Sequence, residues 1–411
     1  MKSVLISGAG IAGPTLAYWL KAAGFEPALL ERAPALRSGG YVIDFWGLGY
    51  DLAERMGLIG EINRAGYHVR ELRIINDAGS RVAGFGTAVF SDLTDGRYVT
   101  LPRSALSRSL FGKVKDSIET IFDDEIVALE QRTDRVGVAL KRAGERRFDL
   151  LIGADGLHST VRNLAFGPQS QFEKYLGYAV AVFEVYGYRP RDEDVYLMYG
   201  EPGRMLGRFT LHDNRTLFLF VFAASRAELP TTLEAQKTLL RNLYGPGGWE
   251  CTKILSELDA TYFDSVSQIR MRNWSCGRVA LVGDAAFCVS LLAGQGSALA
   301  MIAAYVLAGE LSASQGRYQQ AFASYETRLR SYIGNKQRGA ERFAGAFAPR
   351  TRGRTVFPQY GHQGFCHSRS RKACSRQGYR RSDRASRLSV VRARSVGGCL
   401  ISLRDHPLEV C

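Results

Sequence analysis

The chain has 411 residues, 46% of them hydrophobic, and this length predicts two domains with appendages rather than one core. No apolar run is expected to reach membrane-spanning length, and the first apolar residues form a strand instead of a leader, which predicts a cytoplasmic protein with no membrane partner. The net charge of +14 arises at the end of the chain: residues 1–349 hold 40 Lys+Arg and 37 Asp+Glu, whereas residues 350–411 hold 14 and 3, so the body is not expected to bind nucleic acid.

The first 31 residues contain a dinucleotide-binding pattern. The apolar run at residues 4–6 is too short for a helix and predicts a buried parallel strand. Gly8, Gly10 and Gly13 follow at G-x-G-x-x-G spacing and lead into a predicted helix, whose free N–H groups would face a pyrophosphate. A second predicted strand ends in Glu31, at the distance where a carboxylate accepts the hydroxyls of an adenosine ribose. The combination predicts a cofactor with an ADP moiety, and a purely structural glycine turn is the weaker alternative.

The next segment carries less specific signals. A glycine-bearing loop that begins at Arg37 and ends in Asp44 is either a plain connection or a stretch of backbone that runs along the cofactor. The predicted elements that follow are a helix over residues 49–56, strand-like alternation over 70–90 with a turn at 77–80, a helix from Arg103 to about Gly112, and strands at 118–122 and 136–141.

A second glycine-rich turn follows a buried strand predicted over residues 150–152. Its Asp155 and Gly156 stand where a hydroxyl of the cofactor could be bound. An Asp-Gly turn with a purely structural role explains the same pattern equally well. We expect His158, two residues further on, to be a surface residue and not a catalyst.

The architecture changes over residues 175–223, which are rich in Tyr, Phe and Val. Alternation over residues 180–188, turns at 201–204 and 212–215, and a strand at 217–222 predict an antiparallel sheet. Most aromatic side chains of such a sheet are expected in a core. The remainder would line the pocket that the sheet covers.

The third signal is a strand–turn–helix pattern late in the chain. An apolar strand runs into Gly283 and Asp284, and a long apolar helix that extends to residue 311 follows Gly294, Gln295 and Gly296. The carboxylate of Asp284 could bind a ribityl hydroxyl, and the N–H groups of residues 294–296, at a helix start, could face an anion.

Together, the three signals resemble the class A flavoprotein monooxygenases, the para-hydroxybenzoate hydroxylase family, and within it most of all the tetracycline-inactivating branch. The resemblance covers residues 1 to about 349 and implies an α/β fold: a Rossmann-like FAD-binding domain with an inserted antiparallel-sheet substrate domain and C-terminal helices. It implies noncovalent FAD. The positions implied to bind FAD are Gly8, Gly10, Gly13, Glu31, Arg32, Asp44, Arg103, Asp155, Gly156, Gly283, Asp284, Gly294, Gln295 and Gly296.

The resemblance also implies the reaction. NADPH or NADH would reduce FAD, O₂ would add at flavin C4a, and the resulting hydroperoxide would hydroxylate a small aromatic or polycyclic compound. No catalytic side chain and no metal is expected. Phe287 replaces a histidine that is common in the family, and we expect it to stack at the flavin side of the substrate pocket. The alternatives are a flavin-dependent dehydrogenase or reductase without oxygen insertion, and an inactive flavoprotein with a nucleic-acid-binding tail; both monomer and dimer remain open.

The predicted domain organisation is discontinuous. Residues 1–72, 97–167 and 271–311 form the FAD-binding domain, 73–96 and 168–270 the substrate domain, and 312–349 a helical segment with an amphipathic pattern up to Phe343. Residues 350–411 hold 13 arginines, one lysine and four cysteines with no period of 2 or 3.6, which predicts a disordered basic tail. We favour a frameshifted origin for this tail over a natural basic arm.

Overall fold

The computed structural model describes residues 2–37, 40–87, 94–188, 194–212, 214–259 and 262–347. Within these residues the strands are β1 (Ser3–Ser7), β2 (Glu26–Glu31), β3 (Val42–Trp46), β4 (Glu71–Ile75), β5 (Arg81–Gly86), β6 (Tyr98–Pro102), β7 (Glu119–Phe122), β8 (Ile126–Gln131), β9 (Val136–Leu140), β10 (Gly144–Phe148), β11 (Leu150–Gly153), β12 (Glu173–Tyr186), β13 (Val195–Glu201), β14 (Arg204–Thr210), β15 (Arg215–Ala223), β16 (Tyr262–Ile269), β17 (Ser275–Cys276) and β18 (Val279–Leu281). The α-helices of the same residues are α1 (Ala12–Ala22), α2 (Leu48–Arg55), α3 (Ile59–Ala65), α4 (Arg103–Gly112), α5 (Thr160–Phe166), α6 (Leu233–Tyr244), α7 (Cys251–Ser256), α8 (Asp284–Phe287), α9 (Gly296–Ala313) and α10 (Tyr318–Phe347).

The predicted N-terminal strand lies at the centre of a six-stranded sheet with the order β17-β18-β11-β1-β2-β7. All neighbouring pairs in it are parallel except β17 with β18. Val4, Leu5 and Ile6 are completely buried, as the apolar run predicted for a strand covered on both faces. The chain moves from β1 to β2 on one side and later to β11 on the other, so the strand order reverses at β1. Open α/β sheets bind ligands in the crevice at this reversal.

The second large sheet has seven strands in the order β16-β12-β15-β14-β13-β4-β5. Antiparallel pairing was predicted for residues 175–223, and it is confirmed there for β12 with β15, β15 with β14 and β14 with β13. Beyond that prediction, β16 pairs with β12 and β5 with β4 in antiparallel fashion, whereas β13 and β4 are parallel. The early hairpin of β4 and β5 therefore joins strands that follow about a hundred residues later. The division of the chain into numbered domains stays a prediction.

The two faces of this sheet have different compositions. On one face, aromatic side chains such as Phe183, Phe218 and Phe220 form a core with helices α6 and α7, and the Phe220 and Tyr244 rings are 4.7 Å apart. On the other face lie mostly aliphatic side chains. They are Val180, Val182, Met198, Leu217 and Leu219. Most of the aromatic residues are thus core residues, as expected, and the aliphatic face is the one that is left for a ligand.

Smaller elements complete the body. Strands β8, β9 and β10 form an antiparallel sheet, of which only β9 was predicted, and β3 pairs with β6 in a ribbon beside the cavity described below. Helix α10 confirms the predicted amphipathic helix and buries Tyr325, Leu329 and Ile333. The predicted basic tail lies outside the described residues.

Helix α9 corrects one expectation from the sequence. Its length and its mean hydropathy of 1.4 would allow it to cross a membrane, the one such helix among the described residues. The sequence was expected to contain no apolar run of that length. The structure buries 56% of this helix, which packs against α1, α2 and α10. Its apolar character is that of a helix in a protein core.

Candidate functional site: a cavity between the two sheets

A cavity of about 1920 Å³ lies between the carboxyl edge of the six-stranded sheet and the aliphatic face of the seven-stranded sheet. It is about twice the upper end of the ~300–1,000 Å³ range of pockets that hold one drug-sized ligand. The cavity therefore has room for a cofactor and a second molecule. Its walls include the glycine-rich segments that follow β1, β11 and β18, the β3–β6 ribbon and the seven-stranded sheet.

Two glycines of the first turn leave no space for a side chain. Gly8 has a φ of +107°, and a Cβ there would lie 2.5 Å from the carbonyl oxygen of Ala154, the residue that follows strand β11. A Cβ on Gly13 would lie 1.9 Å from the Gly8 oxygen, so this glycine allows α1 to pack on the turn. Gly10 differs, because a Cβ there would meet only the Arg103 guanidinium, at 3.5 Å. Gly8 and Gly10 line the cavity, and Gly13 lies behind it.

Glu31 ends β2 at the cavity wall, as predicted. Its Oε2 accepts a hydrogen bond of 2.9 Å from the Ala9 N–H, and its Oε1 accepts one of 3.0 Å from the Ala33 N–H. The carboxylate is thus held against the glycine turn. The adjacent Arg32 also lines the cavity.

The Asp155 segment supports the structural alternative that the sequence left open. The Asp155 carboxylate accepts hydrogen bonds from the Ser159 hydroxyl at 2.5 Å and from the Val161 N–H at 3.0 Å, and so caps the start of α5. Burial raises the pKa of Asp155, and these hydrogen bonds oppose the rise. Gly156, with a φ of +81°, faces open space in the cavity. A direct contact between Asp155 and the cofactor stays a prediction.

Asp284 and Arg103 place opposite charges deep in the cavity. Asp284 begins α8 directly after Gly283, whose φ of +66° makes the turn from β18. Burial raises the pKa of the Asp284 carboxyl, and the nearby Arg103 guanidinium lowers it. Gly294, in the left-handed region, and Gly296 bring the N-terminus of α9 to the same wall, and a Cβ on Gly296 would lie 3.8 Å from Asp284 Oδ1. Free N–H groups of the first helical turn therefore open into the cavity.

Besides Gly13, three predicted site residues lie outside the cavity lining. Gln295 and Gly283 do not belong to the cavity lining, although each joins residues that do. The expectation that Phe287 stacks in the substrate pocket is corrected. Its ring is buried in the core against Trp274, and the two ring centroids are 4.7 Å apart. The short helix α8 turns the next residue, Cys288, towards the cavity instead. We therefore do not retain Phe287 as a substrate contact.

Asp44 lines the cavity from the β3–β6 ribbon and accepts hydrogen bonds from Tyr98 Oη at 2.8 Å and Thr100 Oγ1 at 2.7 Å.

Sequence reasoning missed a further polar group on the cavity wall. His158, expected on the surface, is half exposed but also lines the cavity, and its Nε2 lies 3.2 Å from the Asp264 carboxylate of β16. Asp264 belongs to strand β16 and has no motif around it in the sequence. Only the folded structure, which brings β16 next to His158, reveals this contact.

Comparison with known proteins agrees with the geometry. The family model described as FAD binding domain matches residues 1–334, and the chain belongs to this family of FAD-dependent monooxygenases. A flavin-dependent monooxygenase of an unknown prokaryotic organism is 35% identical over 344 residues, which cover 81% of this chain and 86% of that protein. An uncharacterized protein of Mycobacterium tuberculosis (strain ATCC 25618 / H37Rv) is 38% identical over 344 residues, 82% of this chain and 92% of its own length.

Solved structures show the same fold. The crystal structure of tetracycline destructase Tet(55) superposes with a TM-score of 0.77 at 31% identity, covering 85% of this chain and 90% of that one. Klebsiella pneumoniae HpxO complexed with FAD and uric acid superposes with a TM-score of 0.73 at 23% identity, covering 86% of this chain and 90% of that one. The protein is therefore a flavin-dependent monooxygenase that binds FAD.

Proposed function

We propose that the protein uses NADPH or NADH and O₂ to hydroxylate an aromatic or polycyclic compound bound between the FAD site and the seven-stranded sheet. The observation that supports this is the continuity of the cavity, which extends from the glycine turn after β1 to the aliphatic sheet face. A cofactor at the first end leaves the second end for an apolar molecule. The sequence has a single G-x-G-x-x-G, so the nicotinamide is proposed to bind transiently to the same part of the protein.

The residues present fit FAD. Gly10 leaves the turn open towards Arg103, whose positive charge suits a pyrophosphate, and the N-termini of α1 and α9 both open into the cavity. We assign Glu31 to the ribose hydroxyls, Arg103 with the start of α1 to the pyrophosphate, Asp284 to the ribityl chain, and the start of α9 to the flavin pyrimidine. Further proposed contacts are Arg32, Asp44, Asp155 and Gly156, all of which line the cavity.

FAD, when bound, supplies the redox chemistry: it takes two electrons from the nicotinamide and activates O₂. The chain supplies position and electrostatics. The free N–H groups at the start of α9 stabilise negative charge on the cofactor by up to about 2 kcal/mol. The side chains of Val182, Met198 and Leu217 present an apolar wall that orients a ring.

The test is to purify the protein, record its absorbance spectrum, and follow oxidation of NADPH and NADH across a panel of phenols and polycyclic aromatics under ¹⁸O₂. We expect a flavin spectrum, faster nicotinamide oxidation with one class of compound, and one ¹⁸O atom in its product. An oxidised product without ¹⁸O would instead identify a dehydrogenase. A protein that neither contains nor takes up FAD would contradict the proposal entirely.

A further inference from the structure

Three hydrogen-bonded side chains extend along the cavity wall. The Tyr262 hydroxyl donates to Asp264 Oδ2 at 3.0 Å, and the Asp264 carboxylate lies 3.2 Å from His158 Nε2. All three residues line the cavity. Tyr262, which lines the cavity, is 42% exposed, the Asp264 side chain is 15% exposed and the His158 side chain 51%. The contacts therefore lead from a ring that opens on the cavity, through a mostly buried carboxylate, to an imidazole that water reaches.

The surroundings of His158 favour its protonated form. The His158 Nδ1 atom lies 3.2 Å from the amide oxygen Oε1 of Gln169. Two neighbours orient this amide: Arg162 Nη2 donates to Gln169 Oε1 at 2.9 Å, and Gln169 Nε2 donates to Glu173 Oε2 at 2.9 Å. Both ring nitrogens therefore face acceptors, as an imidazolium requires. The hydrogen bond to Asp264 raises the pKa of His158, and partial burial opposes this.

The proposed function needs a proton at this wall. Hydroxylation of a substrate RH follows RH + NAD(P)H + H⁺ + O₂ → ROH + NAD(P)⁺ + H₂O, so each turnover takes up one proton. Without substrate, NAD(P)H + H⁺ + O₂ → NAD(P)⁺ + H₂O₂ takes up one as well. The protons end on oxygen atoms inside a cavity whose sheet wall is apolar, where few groups can donate.

We propose that His158, Asp264 and Tyr262 form the path by which this proton enters the cavity, an inference that rests on the proposed function. Tyr262 gives its hydroxyl proton to the oxygen acceptor in the cavity and takes one from Asp264. Asp264 in turn takes the Nε2 proton of the His158 imidazolium, and solvent protonates the imidazole again. No bond other than O–H and N–H bonds forms or breaks on these residues.

The Tyr262 end of the path lies next to the wall of the proposed cofactor site. The Tyr262 ring is 6.2 Å from the ring of Tyr41, and burial raises the pKa of Tyr41 to about 12. The titratable and charged groups that surround the path from the other packed elements are Glu173, Arg226, Arg162, Tyr41, Arg103, Asp284 and Cys288.

The test compares the holoenzyme with the variants His158→Gln, Asp264→Asn and Tyr262→Phe, in substrate-free oxidation of whichever nicotinamide it accepts. The matched control is His212→Gln, an exposed histidine stacked on Tyr67 away from the cavity. The wild-type rate should fall as pH rises through the His158 pKa. Each path variant should be about 100-fold slower, the lower end of the effect of positioned proton transfer, with no such pH step, and the control should match the wild type.

Two readouts separate a proton path from a structural contact. Added imidazole should restore the rate of His158→Ala in proportion to its concentration, which a packing defect would not allow. NMR titration should show the His158 pKa fall in Asp264→Asn, a measurement independent of activity. Path variants with the wild-type rate and pH profile, or no rescue by imidazole, would overturn the path. A wild type that oxidises neither nicotinamide would instead refute the proposed function.

Discussion

Replacing Gly13 with alanine tests whether the first glycine turn is a packing device in its own right. A Cβ at residue 13 would lie 1.9 Å from the Gly8 carbonyl oxygen and 3.3 Å from Leu29 Cδ2, and contacts under 3.0 Å are essentially never made. Helix α1 must therefore withdraw from the turn by about 1 Å, and overpacking of this kind costs about 1–3 kcal/mol. For a chain of this size, the Tm of the FAD-free protein should fall by roughly 2–6 °C.

Gly10 provides the matched control, because alanine there meets only the Arg103 guanidinium, at an ordinary 3.5 Å. Gly10→Ala should leave the Tm of the FAD-free protein unchanged but weaken FAD binding at least tenfold, about 1.4 kcal/mol, since its methyl group fills the space next to the turn. Thermal scans of both FAD-free variants and titration with FAD, followed by flavin fluorescence, measure the two effects. A Gly13→Ala protein with the wild-type Tm, or a Gly10→Ala protein destabilised to the same degree, would refute the reasoning.

Further substitutions test single residues. Asp284→Asn should weaken FAD binding yet stabilise the FAD-free protein at neutral pH, because burial raises the pKa of this carboxyl and its charged form costs free energy above that pKa. Urea unfolding should show this gain shrink once pH falls below the folded-state pKa and vanish below the lower pKa of the unfolded state. Phe287→His should lower the Tm, because the buried contact with Trp274 is lost, and a phenol panel should show no gain in hydroxylation. Glu31→Gln keeps an acceptor for the Ala9 N–H and should retain more flavin on dialysis than Glu31→Ala does. The neighbouring reading frames of the coding DNA after about codon 350 should encode amphipathic helix; if they do not, the tail is a natural basic arm.

The features that could be predicted from the sequence are those that depend on neighbours in the chain. The strand before Gly8, the turn and α1 lie within 22 residues, and each glycine there satisfies a local steric demand. The parallel pairing of β13 with β4 depends on residues more than a hundred positions apart, and no local period encodes it. Strands β8 and β10 were missed because their polar residues interrupt the alternation that marks a half-buried strand.

In the candidate site, too, the features that depend on the local backbone could be predicted, whereas those that depend on distant contacts could not. Backbone features at Gly8 and Gly294 follow from residue type, because only glycine takes such conformations without cost. The direction of a side chain does not follow: one residue along α8 separates Phe287 in the core from Cys288 at the cavity. Likewise, the partner of His158 is Asp264, 106 residues later, and a polar residue becomes part of a path only when a second segment supplies its partner. The resemblance to a family therefore predicts where the cofactor binds, whereas the groups proposed to act on the substrate have to be found from the packing of the two sheets.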